Sequence, residues 1–403
     1  MRHVVVIGAG QAGAACVARL RSKGYEGRIT LIGEEPVPPY QRPPLSKAYL
    51  LGEMPLERLY LRPESFYAEN GIELRLGARV EAIDPAAKTV TVEGEMLTYD
   101  DLVLTTGSSP RRLPPEMGGD LDGVVTVRTL DDVDAMAHRF GAGARVLIVG
   151  GGYIGLEAAA VAAKRDLDVT LVEMSDRILS RVAAPETSDF FRALHERNGV
   201  TIREGTGLTQ LIGENGHVIG ADLSDGTRLD LDFVVVGVGI LPETQLAEAA
   251  GLEIENGVKT DLQGQTSDPS IWAAGDCASF PHGETRLRLE SVGNAIDQAE
   301  CVADNIAGAA RDYAAKPWFW SDQYDVKLQI AGLSSGYDRV VMRPGEEGAV
   351  SFWYYAGTRL LAVDAMNDAR AYMVGKRLIE AGKSPDPVAV ADPATDLKAL
   401  LKA

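Results

Sequence analysis

The sequence predicts an α/β protein in which one strand–turn–helix–strand unit occurs twice and a small α+β unit follows. The first observation behind this prediction is a repeat. Apolar runs at residues 4–7 and 146–149 each precede a glycine-rich turn and a helical pattern. The second is a series of short strand patterns after Pro317, which predicts a small antiparallel sheet, followed by a helical pattern at residues 369–381. The proline-containing segment 384–393 is expected to be extended, and Thr129 with Asp132 three residues on has the form of a helix N-cap. The chain has 403 residues, which is enough for two to three domains.

The first copy of the unit contains a glycine turn with the spacing of a dinucleotide-binding site. The strand pattern at residues 4–7 runs into Gly8, Gly10 and Gly13, which have the spacing G-x-G-x-x-G. These glycines allow a tight turn, close approach of a pyrophosphate, and packing of helix on strand. A second strand pattern ends just before Glu34, whose carboxylate can accept hydrogen bonds from ribose hydroxyls. The pyrophosphate is expected at the helix N-terminus.

The second copy repeats these features about 140 residues later. Gly150, Gly152 and Gly155 follow the second apolar run, an alanine-rich helical pattern comes next, and a further strand pattern ends at Glu173. A single match of this kind is weak, since a glycine-rich turn without a ligand produces it by chance. Two matches, each after a strand and before a helix, predict two bound dinucleotides.

Glu173 also predicts which dinucleotide the second site prefers. Its carboxylate would repel the 2′-phosphate of NADPH, so the site is expected to favour NADH. Arg177 and Arg181 lie close by in the sequence and slightly weaken this prediction of an NADH preference.

Composition excludes several other classes of protein. The formal net charge of −18 argues against a general nucleic-acid-binding protein, which needs a basic surface. The longest apolar run, at residues 233–241, is too short for a membrane helix. No signal-peptide pattern is visible, so we expect a cytoplasmic protein without a membrane partner. The cysteines, Cys16, Cys277 and Cys301, have no metal-binding spacing, so no metal site is expected.

Several further motifs are highly specific in combination. They are residues 39–47 (PYQRPPLSK), 150–157, 271–276 (IWAAGD), 288–292 (RLESV) with Asn294 and Gln298, and 320–325 (WSDQYD). In this order, and over essentially the whole chain, they resemble the FAD-dependent, NADH-linked ferredoxin reductases of bacterial oxygenase systems. The resemblance implies a glutathione-reductase-like fold, with two Rossmann-like dinucleotide-binding domains and a small α+β C-terminal domain.

The resemblance also implies domain bounds and cofactor contacts. It places a split FAD domain at residues 1–108 and 240–316, an NADH domain at 109–239 and a C-terminal domain at 317–403. The residues that it assigns to FAD are Gly8, Gly10, Ala12, Gly13, Glu34, Arg42, Lys47, Val80, Thr106, Gly107, Arg128, Asp276, Ser291, Val292 and Trp320. Those that it assigns to NADH are Gly150, Gly152, Tyr153, Ile154, Gly155, Glu157, Glu173, Arg181, Gly237, Val238 and Gly239.

Catalytic roles are implied for Lys47, Glu157 and Trp320. The resemblance places Lys47 beside flavin N5, with Glu157 facing it, and Trp320 over the flavin on the side of the approaching ferredoxin. The preceding serine, Ser46, is expected to cap a short helix.

The implied function is an NADH:ferredoxin oxidoreductase that supplies a haem monooxygenase or another oxygenase through a [2Fe–2S] ferredoxin. A dithiol-disulfide reductase has the same fold but needs cysteine near the flavin, and residues 39–47 contain none. A redox-sensing flavoprotein like apoptosis-inducing factor and a rubredoxin reductase remain as alternatives. The sequence does not decide how the ferredoxin is bound. One alternative is a basic patch, for which the candidates are Lys47, Arg311, Lys316 and Lys327. The other alternative is apolar contact.

Overall fold

The computed structural model describes residues 2–402. Its strands are β1 (His3–Ile7), β2 (Arg28–Ile32), β3 (Ile72–Arg75), β4 (Val80–Asp84), β5 (Thr89–Val92), β6 (Glu95–Thr98), β7 (Asp101–Leu104), β8 (Ser108–Pro110), β9 (Val124–Val125), β10 (Arg145–Val149), β11 (Asp168–Glu173), β12 (Thr201–Glu204), β13 (Leu208–Glu214), β14 (His217–Leu223), β15 (Arg228–Asp230), β16 (Phe233–Val236), β17 (Ile240–Pro242), β18 (Val258–Lys259), β19 (Ile271–Ala273), β20 (Ala278–His282), β21 (Thr285–Leu287), β22 (Trp318–Gln323), β23 (Val326–Gly332), β24 (Arg339–Pro344), β25 (Val350–Ala356) and β26 (Arg359–Met366).

The α-helices are α1 (Gln11–Ser22), α2 (Glu64–Glu69), α3 (Leu130–Ala137), α4 (Tyr153–Lys164), α5 (Pro185–Arg197), α6 (Gln245–Ala249), α7 (Val292–Ile306), α8 (Ala369–Glu380), α9 (Pro387–Ala391) and α10 (Leu397–Leu400). The chain forms two compact units. Unit 1 contains the residues up to Arg42, Pro55–Ser109 and Ile240–Pro317. Unit 2 contains Pro43–Met54, Pro110–Gly239 and the residues from Trp318 onward.

Unit 1 is built on a five-stranded parallel sheet in the order β19-β7-β1-β2-β3. β1 is buried along its whole length, as its continuous apolar run predicts for a central parallel strand. α1 packs on this sheet and against α7, and its Cys16, Val17 and Leu20 are completely buried. Replacing Leu20 by alanine is expected to cost about 2–5 kcal/mol of stability. A separate antiparallel sheet, β4-β5-β6, was not predicted from the sequence.

Unit 2 repeats the parallel arrangement and adds two antiparallel sheets, of which the smaller is β13-β14-β15. Its parallel sheet has the order β12-β11-β10-β16-β9, and α4 follows β10. The C-terminal residues form a five-stranded antiparallel sheet, β22-β23-β26-β25-β24, covered by α8. A Cβ on Gly375 of α8 would lie 2.6 Å from the Val363 side chain, so the helix lies very close to the sheet. The predicted α/β class and the antiparallel C-terminal sheet are confirmed.

The N-termini of α3 and α9 are both capped by side chains, but only the first of these two helices was predicted. Thr129 caps α3 in a capping box with Asp132, as the sequence predicts. Residues 384–393 were expected to be extended, but they contain α9, which Asp386 caps by accepting a hydrogen bond from the Val388 N–H at 2.9 Å. Within residues 2–402, no helix is both long and apolar enough to cross a membrane.

Candidate active site

The first glycine turn has the geometry of a pyrophosphate-binding turn. Gly8 has φ of +111°, and a Cβ there would lie 2.1 Å from the carbonyl oxygen of Thr105. A Cβ on Gly13 would lie 2.0 Å from the Gly8 oxygen, whereas one on Gly10 would enter open space at the N-terminus of α1. No side chain caps this end of α1, and its first turn has no acidic residue. The turn therefore fits a dinucleotide pyrophosphate.

The second turn has the same geometry. Gly150 has φ of +107°, and a Cβ there would lie 2.4 Å from the oxygen of Gly237. A Cβ on Gly155 would lie 2.0 Å from the Gly150 oxygen, and one on Gly152 would again enter open space. α4 begins at Tyr153 without a side-chain cap or an acidic residue in its first turn. Each unit thus presents one site that fits a dinucleotide.

The two acids that are expected to bind ribose differ in how firmly the protein holds them. The Glu34 side chain is 70% exposed and lies 3.6 Å from Arg79. Glu173 instead accepts hydrogen bonds at 2.8 Å from the Gly151 and Ser175 N–H groups. Because each carboxylate oxygen has a further lone pair, Glu173 is fixed beside the turn and can still accept from a hydroxyl.

Arg177 is occupied by other partners. Its guanidinium donates to Ser188 Oγ at 2.6 Å and to the carbonyl oxygens of Ser180 and Ala183. Arg181 lies beside Gly239, since its Nη2 would be 3.6 Å from a Cβ there. These contacts leave Glu173 as the charged group that is hydrogen-bonded to the second turn.

Other residues expected at FAD lie at the ends of elements of unit 1. Ser291 caps α7 by accepting from the Asn294 N–H at 3.2 Å, and α7 begins at Val292 with no acid in its first turn. This helix end favours negative charge in front of it. Asp276 accepts from Ser108 Oγ at 2.9 Å.

The remaining unit 1 candidates have structural partners. Thr106 donates from Oγ1 to the Glu243 carbonyl oxygen at 2.7 Å, and Gly107 follows with φ of +73°. Arg42 forms an ion pair with Glu35 at 2.6 Å, so its expected FAD contact has a competitor. Ala12 and Val80 are buried apolar residues.

In unit 2, the structure brings Lys47 and Glu157 together. The Lys47 Nζ lies 2.9 Å from Glu157 Oε1, and the Glu157 side chain is only 4% exposed. Glu157 also accepts hydrogen bonds from Ser46 Oγ at 2.9 Å and from Ser321 Oγ at 2.7 Å. Burial raises the pKa of Glu157, while the Lys47 ammonium and these hydroxyls oppose the rise.

Ser46 and Lys47, which both contact Glu157, lie in an irregular turn. Residues Leu45–Tyr49 form a short π-helical turn in which Lys47 has non-helical φ and ψ of −134° and −112°. The expectation that Ser46 caps a helix is wrong, because its hydroxyl donates to Glu157. A buried carboxylate needs every available donor, and this requirement overrides the local preference of serine for a cap.

Trp320 belongs to an aromatic group on β22. Its ring stacks on that of Trp318, with centroids 5.4 Å apart and an interplanar angle of 20°. Phe319 packs against Tyr153 of α4, with ring centroids 4.8 Å apart. Trp320 is half-buried and so keeps exposed ring surface. Arg128 precedes α3 and donates its backbone N–H to Asp132.

Sequence patterns missed part of the site around Glu157. Ser321 and Gln323 alternate with Trp320 on β22 and therefore face the opposite side of the strand. Gln323 Nε2 donates to Ser321 Oγ at 3.1 Å, and Gln323 Oε1 lies 2.8 Å from His195 Nε2. A strand over these residues places Ser321 and Gln323 on one side, but residues 321–323 are all polar, so no alternation in the sequence marks that side as buried. No local pattern marked His195, which lies more than 100 residues away.

The fold and the two turns define a two-dinucleotide oxidoreductase architecture, and comparison with known proteins gives its family. The chain belongs to the pyridine nucleotide-disulphide oxidoreductase family, which matches residues 2–299, and residues 318–401 match the reductase C-terminal family. Among described residues, the three cysteines are free and buried, and no cluster of metal-ligating side chains occurs.

Similar proteins cover nearly the whole chain. A ferredoxin–NAD(P)+ reductase from a Sphingomonas species is 44% identical over 98% of this chain and 96% of its own length. Putidaredoxin reductase from Pseudomonas putida is 41% identical over 100% of this chain and 97% of its own length. In the crystal structure of a covalent putidaredoxin reductase–putidaredoxin complex, one chain matches with a TM-score of 0.96 at 40% identity, covering 100% of this chain and 98% of that one.

Proposed function

We propose that the protein is an FAD-dependent NADH:ferredoxin oxidoreductase that supplies electrons to an oxygenase. The observation on which this proposal chiefly rests is the pair of glycine turns with matching geometry, at Gly8–Gly13 and Gly150–Gly155. Each turn presents an uncapped helix N-terminus to open space, as a pyrophosphate requires. Relatives named as ferredoxin reductases support the choice of electron acceptor.

We assign FAD to the first turn and NADH to the second. FAD, when bound, accepts a hydride from NADH and releases electrons one at a time to the iron–sulfur partner. In this assignment Gly8, Gly10 and Gly13 bind the FAD pyrophosphate, and Glu34 the ribose. Asp276 and the N-terminus of α7 contact the rest of the cofactor. The further FAD contacts are those given above for Ala12, Arg42, Val80, Thr106, Gly107, Arg128, Ser291 and Val292.

Lys47 and Glu157 are proposed to form the polar part of the flavin-reduction site. Their ion pair holds the Lys47 ammonium in one orientation, and the buried carboxylate is held by three side-chain donors. A fixed positive group favours the negative charge that the flavin gains on reduction. Neither residue needs to transfer a proton for this effect. Trp320 is proposed to stack on the flavin and shield it.

NADH is the proposed electron donor rather than NADPH. Glu173 is fixed beside the second turn by two backbone N–H groups, so its negative charge stays where the 2′-phosphate of NADPH would bind. Arg177 donates to Ser188 and to two carbonyl groups, which satisfies much of its hydrogen-bonding capacity. The remaining proposed NADH contacts are Tyr153, Ile154, Arg181, Gly237, Val238 and Gly239.

The domain division is part of the same proposal. FAD is assigned to residues 1–108 and 240–316, NADH to 109–239, and part of the partner surface to 317–403. The proposed partner is a [2Fe–2S] ferredoxin, which passes electrons to a haem monooxygenase or another oxygenase. A cytoplasmic location suits this partner, and no nucleic acid or membrane is involved.

Two other functions remain as outcomes of the test. A redox sensor would keep a long-lived complex with NADH and reduce no acceptor quickly. A rubredoxin reductase would prefer rubredoxin to every ferredoxin.

A dithiol-disulfide reductase needs a redox-active cysteine, whereas Cys16, Cys277 and Cys301 are buried and burial raises the pKa of each thiol.

The deciding experiment is anaerobic stopped-flow reduction of the FAD-loaded protein. NADH and NADPH are compared first, and [2Fe–2S] ferredoxins and rubredoxins are then added to the reduced protein. Fast bleaching by NADH, followed by fast single-electron transfer to a ferredoxin, is the expected result. A persistent charge-transfer band with no acceptor faster than oxygen would overturn the proposal in favour of the sensor.

A further inference from the structure

A chain of hydrogen bonds extends from Glu157 into the interior of unit 2. Ser321 Oγ lies 2.7 Å from Glu157 Oε1, and Gln323 Nε2 lies 3.1 Å from Ser321 Oγ. Gln323 Oε1 lies 2.8 Å from His195 Nε2. His195 Nδ1 in turn lies 3.1 Å from the Tyr324 hydroxyl. Four links thus join Glu157 on α4 to a histidine on α5 and a tyrosine at the end of β22.

The chemistry of these groups sets the direction of every link. An ionised carboxylate only accepts, so the Ser321 hydroxyl gives its single proton to Glu157 and accepts from the Gln323 amide nitrogen. Gln323 then presents its carbonyl oxygen to His195, which must carry its proton on Nε2. His195 Nδ1 is left as an acceptor for the Tyr324 hydroxyl. Every donor therefore points toward Glu157.

Because the hydrogen-bonded groups are buried, each of them needs its neighbour in the chain as a hydrogen-bond partner. Ser321, Gln323 and His195 are each 0% exposed, so water does not replace a lost partner. Tyr324 has φ of +56° in the two-residue turn between β22 and β23, a conformation that is strained for a large side chain. From this turn the Tyr324 hydroxyl reaches His195 Nδ1, and the two rings also meet edge-on with centroids 5.1 Å apart.

We propose that His195 and Gln323 are positioning residues, which hold the Ser321 hydroxyl on Glu157 and so keep the carboxylate ionised and directed at Lys47. This inference rests on the proposed function, because the action of Lys47 and Glu157 on the flavin is itself part of that proposal. Hydrogen bonds aligned in one direction polarise one another, so the far end of the chain contributes to the charge at Glu157. The titratable groups in contact with it are Lys47 at one end and Tyr324 at the other.

His195 remains neutral over the working pH range. Burial lowers the pKa of His195 to about 4, and its hydrogen bond to Gln323 opposes only part of that shift. A neutral ring with a fixed proton on Nε2 can be a donor to Gln323 and an acceptor from Tyr324 at the same time.

A second network on α5 provides a matched control. Thr187 Oγ1 donates to Asp364 Oδ2 at 2.8 Å, Tyr354 OH also bonds Asp364, and all three residues are buried. None of the hydrogen bonds described for this network reaches Lys47 or Glu157. The variant Thr187→Val removes one of its buried donors with little change in shape, and so measures the effect of a lost buried hydrogen bond alone.

The test compares four variants of the FAD-loaded protein with the wild type. His195→Leu and Gln323→Met break the chain, His195→Gln keeps a side-chain N–H near the position of Nε2, and Thr187→Val is the control. One readout is the Glu157 carboxyl titration by carbon-13 NMR, together with the His195 tautomer by nitrogen-15 NMR. The other is stopped-flow reduction by NADH, which separates the limiting rate from the dissociation constant of NADH.

Breaking the chain is expected to move the Glu157 titration upward by about one pH unit. In the same variants the limiting rate of reduction should fall about tenfold, with the NADH dissociation constant within about twofold of wild type. His195→Gln should recover most of the rate, and Thr187→Val should lower only the melting temperature. In the wild type, the His195 proton should be on Nε2.

Three results would overturn the inference. They are a proton on Nδ1 of His195, a Glu157 titration that is unchanged in His195→Leu and Gln323→Met, and equal limiting rates for His195→Leu and His195→Gln. Failure of the proposed function looks different, since NADH would then fail to reduce the wild-type flavin. The NMR readouts still decide whether the chain holds the Glu157 charge in that case.

Discussion

The Lys47 ammonium and the Glu157 carboxylate lie 2.9 Å apart, and they are unequally buried, at 17% and 4% exposed. A buried ion pair adds little net stability, but removing one partner leaves the other charge in a medium that solvates it poorly. The consequence of a substitution therefore depends on which partner is left.

Lys47→Met is expected to destabilise the protein more than Glu157→Gln. The first variant leaves a buried carboxylate without its cation, which should cost about 3 kcal/mol in the free energy of unfolding. In the second variant the amide oxygen still accepts a hydrogen bond, and a cost of about 1 kcal/mol is expected. Urea unfolding at pH 8 measures both values. Equal costs would contradict the assignment of Glu157 as an ionised group in the folded protein.

Gly155→Ala is expected to impair the second turn. Its Cβ would lie 2.0 Å from the backbone oxygen of Gly150, which cannot move without opening the turn. We expect a loss of about 1–3 kcal/mol in stability and a weaker affinity for NADH, measured by denaturation and by titration. Gly141→Ala is the matched control, because a Cβ there meets no atom within 4 Å. Wild-type NADH affinity in Gly155→Ala would be evidence against this turn as the binding site.

Glu173→Ala is expected to reduce the preference for NADH over NADPH about tenfold, expressed as the ratio of kcat/KM values. The substitution removes the charge that repels the 2′-phosphate and an acceptor for the ribose hydroxyls. Arg177→Met should lower stability and leave this ratio unchanged, because Arg177 bonds Ser188 and two carbonyl groups. Steady-state rates with ferricyanide measure the ratio. An unaltered preference in Glu173→Ala would show that selectivity lies elsewhere.

Two buried groups should give stability opposite dependences on pH. Burial lowers the pKa of His195 from 6.5 to about 4, so only the unfolded chain takes up that proton between these values. Its contribution to stability is complete above pH 6.5 and is lost as the pH falls toward 4. Burial raises the pKa of Asp364 from 3.8 to about 6, so its contribution is complete below pH 3.8 and is lost as the pH rises toward 6.

Variants separate these two contributions. Between pH 6.5 and 5, His195→Gln should lose about 2 kcal/mol less stability than the wild type, at about 1.4 kcal/mol per pH unit. Asp364→Asn should lose less than the wild type as the pH rises from 4 to 6. Urea unfolding at several pH values gives both slopes. If both substitutions changed the slope of the unfolding free energy against pH in the same direction, these protonation states would be contradicted.

Salt should accelerate the reduction of an acidic ferredoxin. The protein has a net charge of −18, and like charges slow association at low ionic strength. Of the candidates for a basic patch, Lys47, Arg311 and Lys327 pair with Glu157, Asp304 and Asp322. Lys316 is exposed. Second-order rate constants between about 20 and 300 mM salt test this prediction. Strong slowing by salt would indicate a basic patch after all.

The sequence could predict the parallel sheets and the glycine turns because their rules are local. A continuous apolar strand, a glycine that needs positive φ and a helix start lie within a dozen residues of each other, as in residues 4–13. Short strand patterns separated by turns after Pro317 predicted the C-terminal sheet in the same way. The separate β4-β5-β6 sheet was missed because its strands are short and largely polar on one side.

The contacts around Glu157 could not be predicted in this way. The side chains that meet there come from residues 46–47, 157, 195 and 321–323, and only the tertiary fold brings them together. The same reason explains the error at Ser46, whose local pattern indicates a cap. The α9 helix was missed because the prolines around it suggested an extended segment, whereas Pro387 occupies the first turn of a helix, where proline is tolerated.

The hairpin between β22 and β23 determines on which side of β22 both Trp320 and Ser321 lie. Trp320 pairs with Gln329, and Ser321 with Leu328, across a turn of only two residues. Because neighbouring side chains on a strand face opposite ways, a shift of one residue would exchange the aromatic side of β22 with its polar side. The two-residue turn at Tyr324 and Asp325 thus fixes the register of the two strands. A one-residue insertion there would displace both Trp320 and Ser321. An engineer who wants to alter one of them alone must leave the length of this turn unchanged.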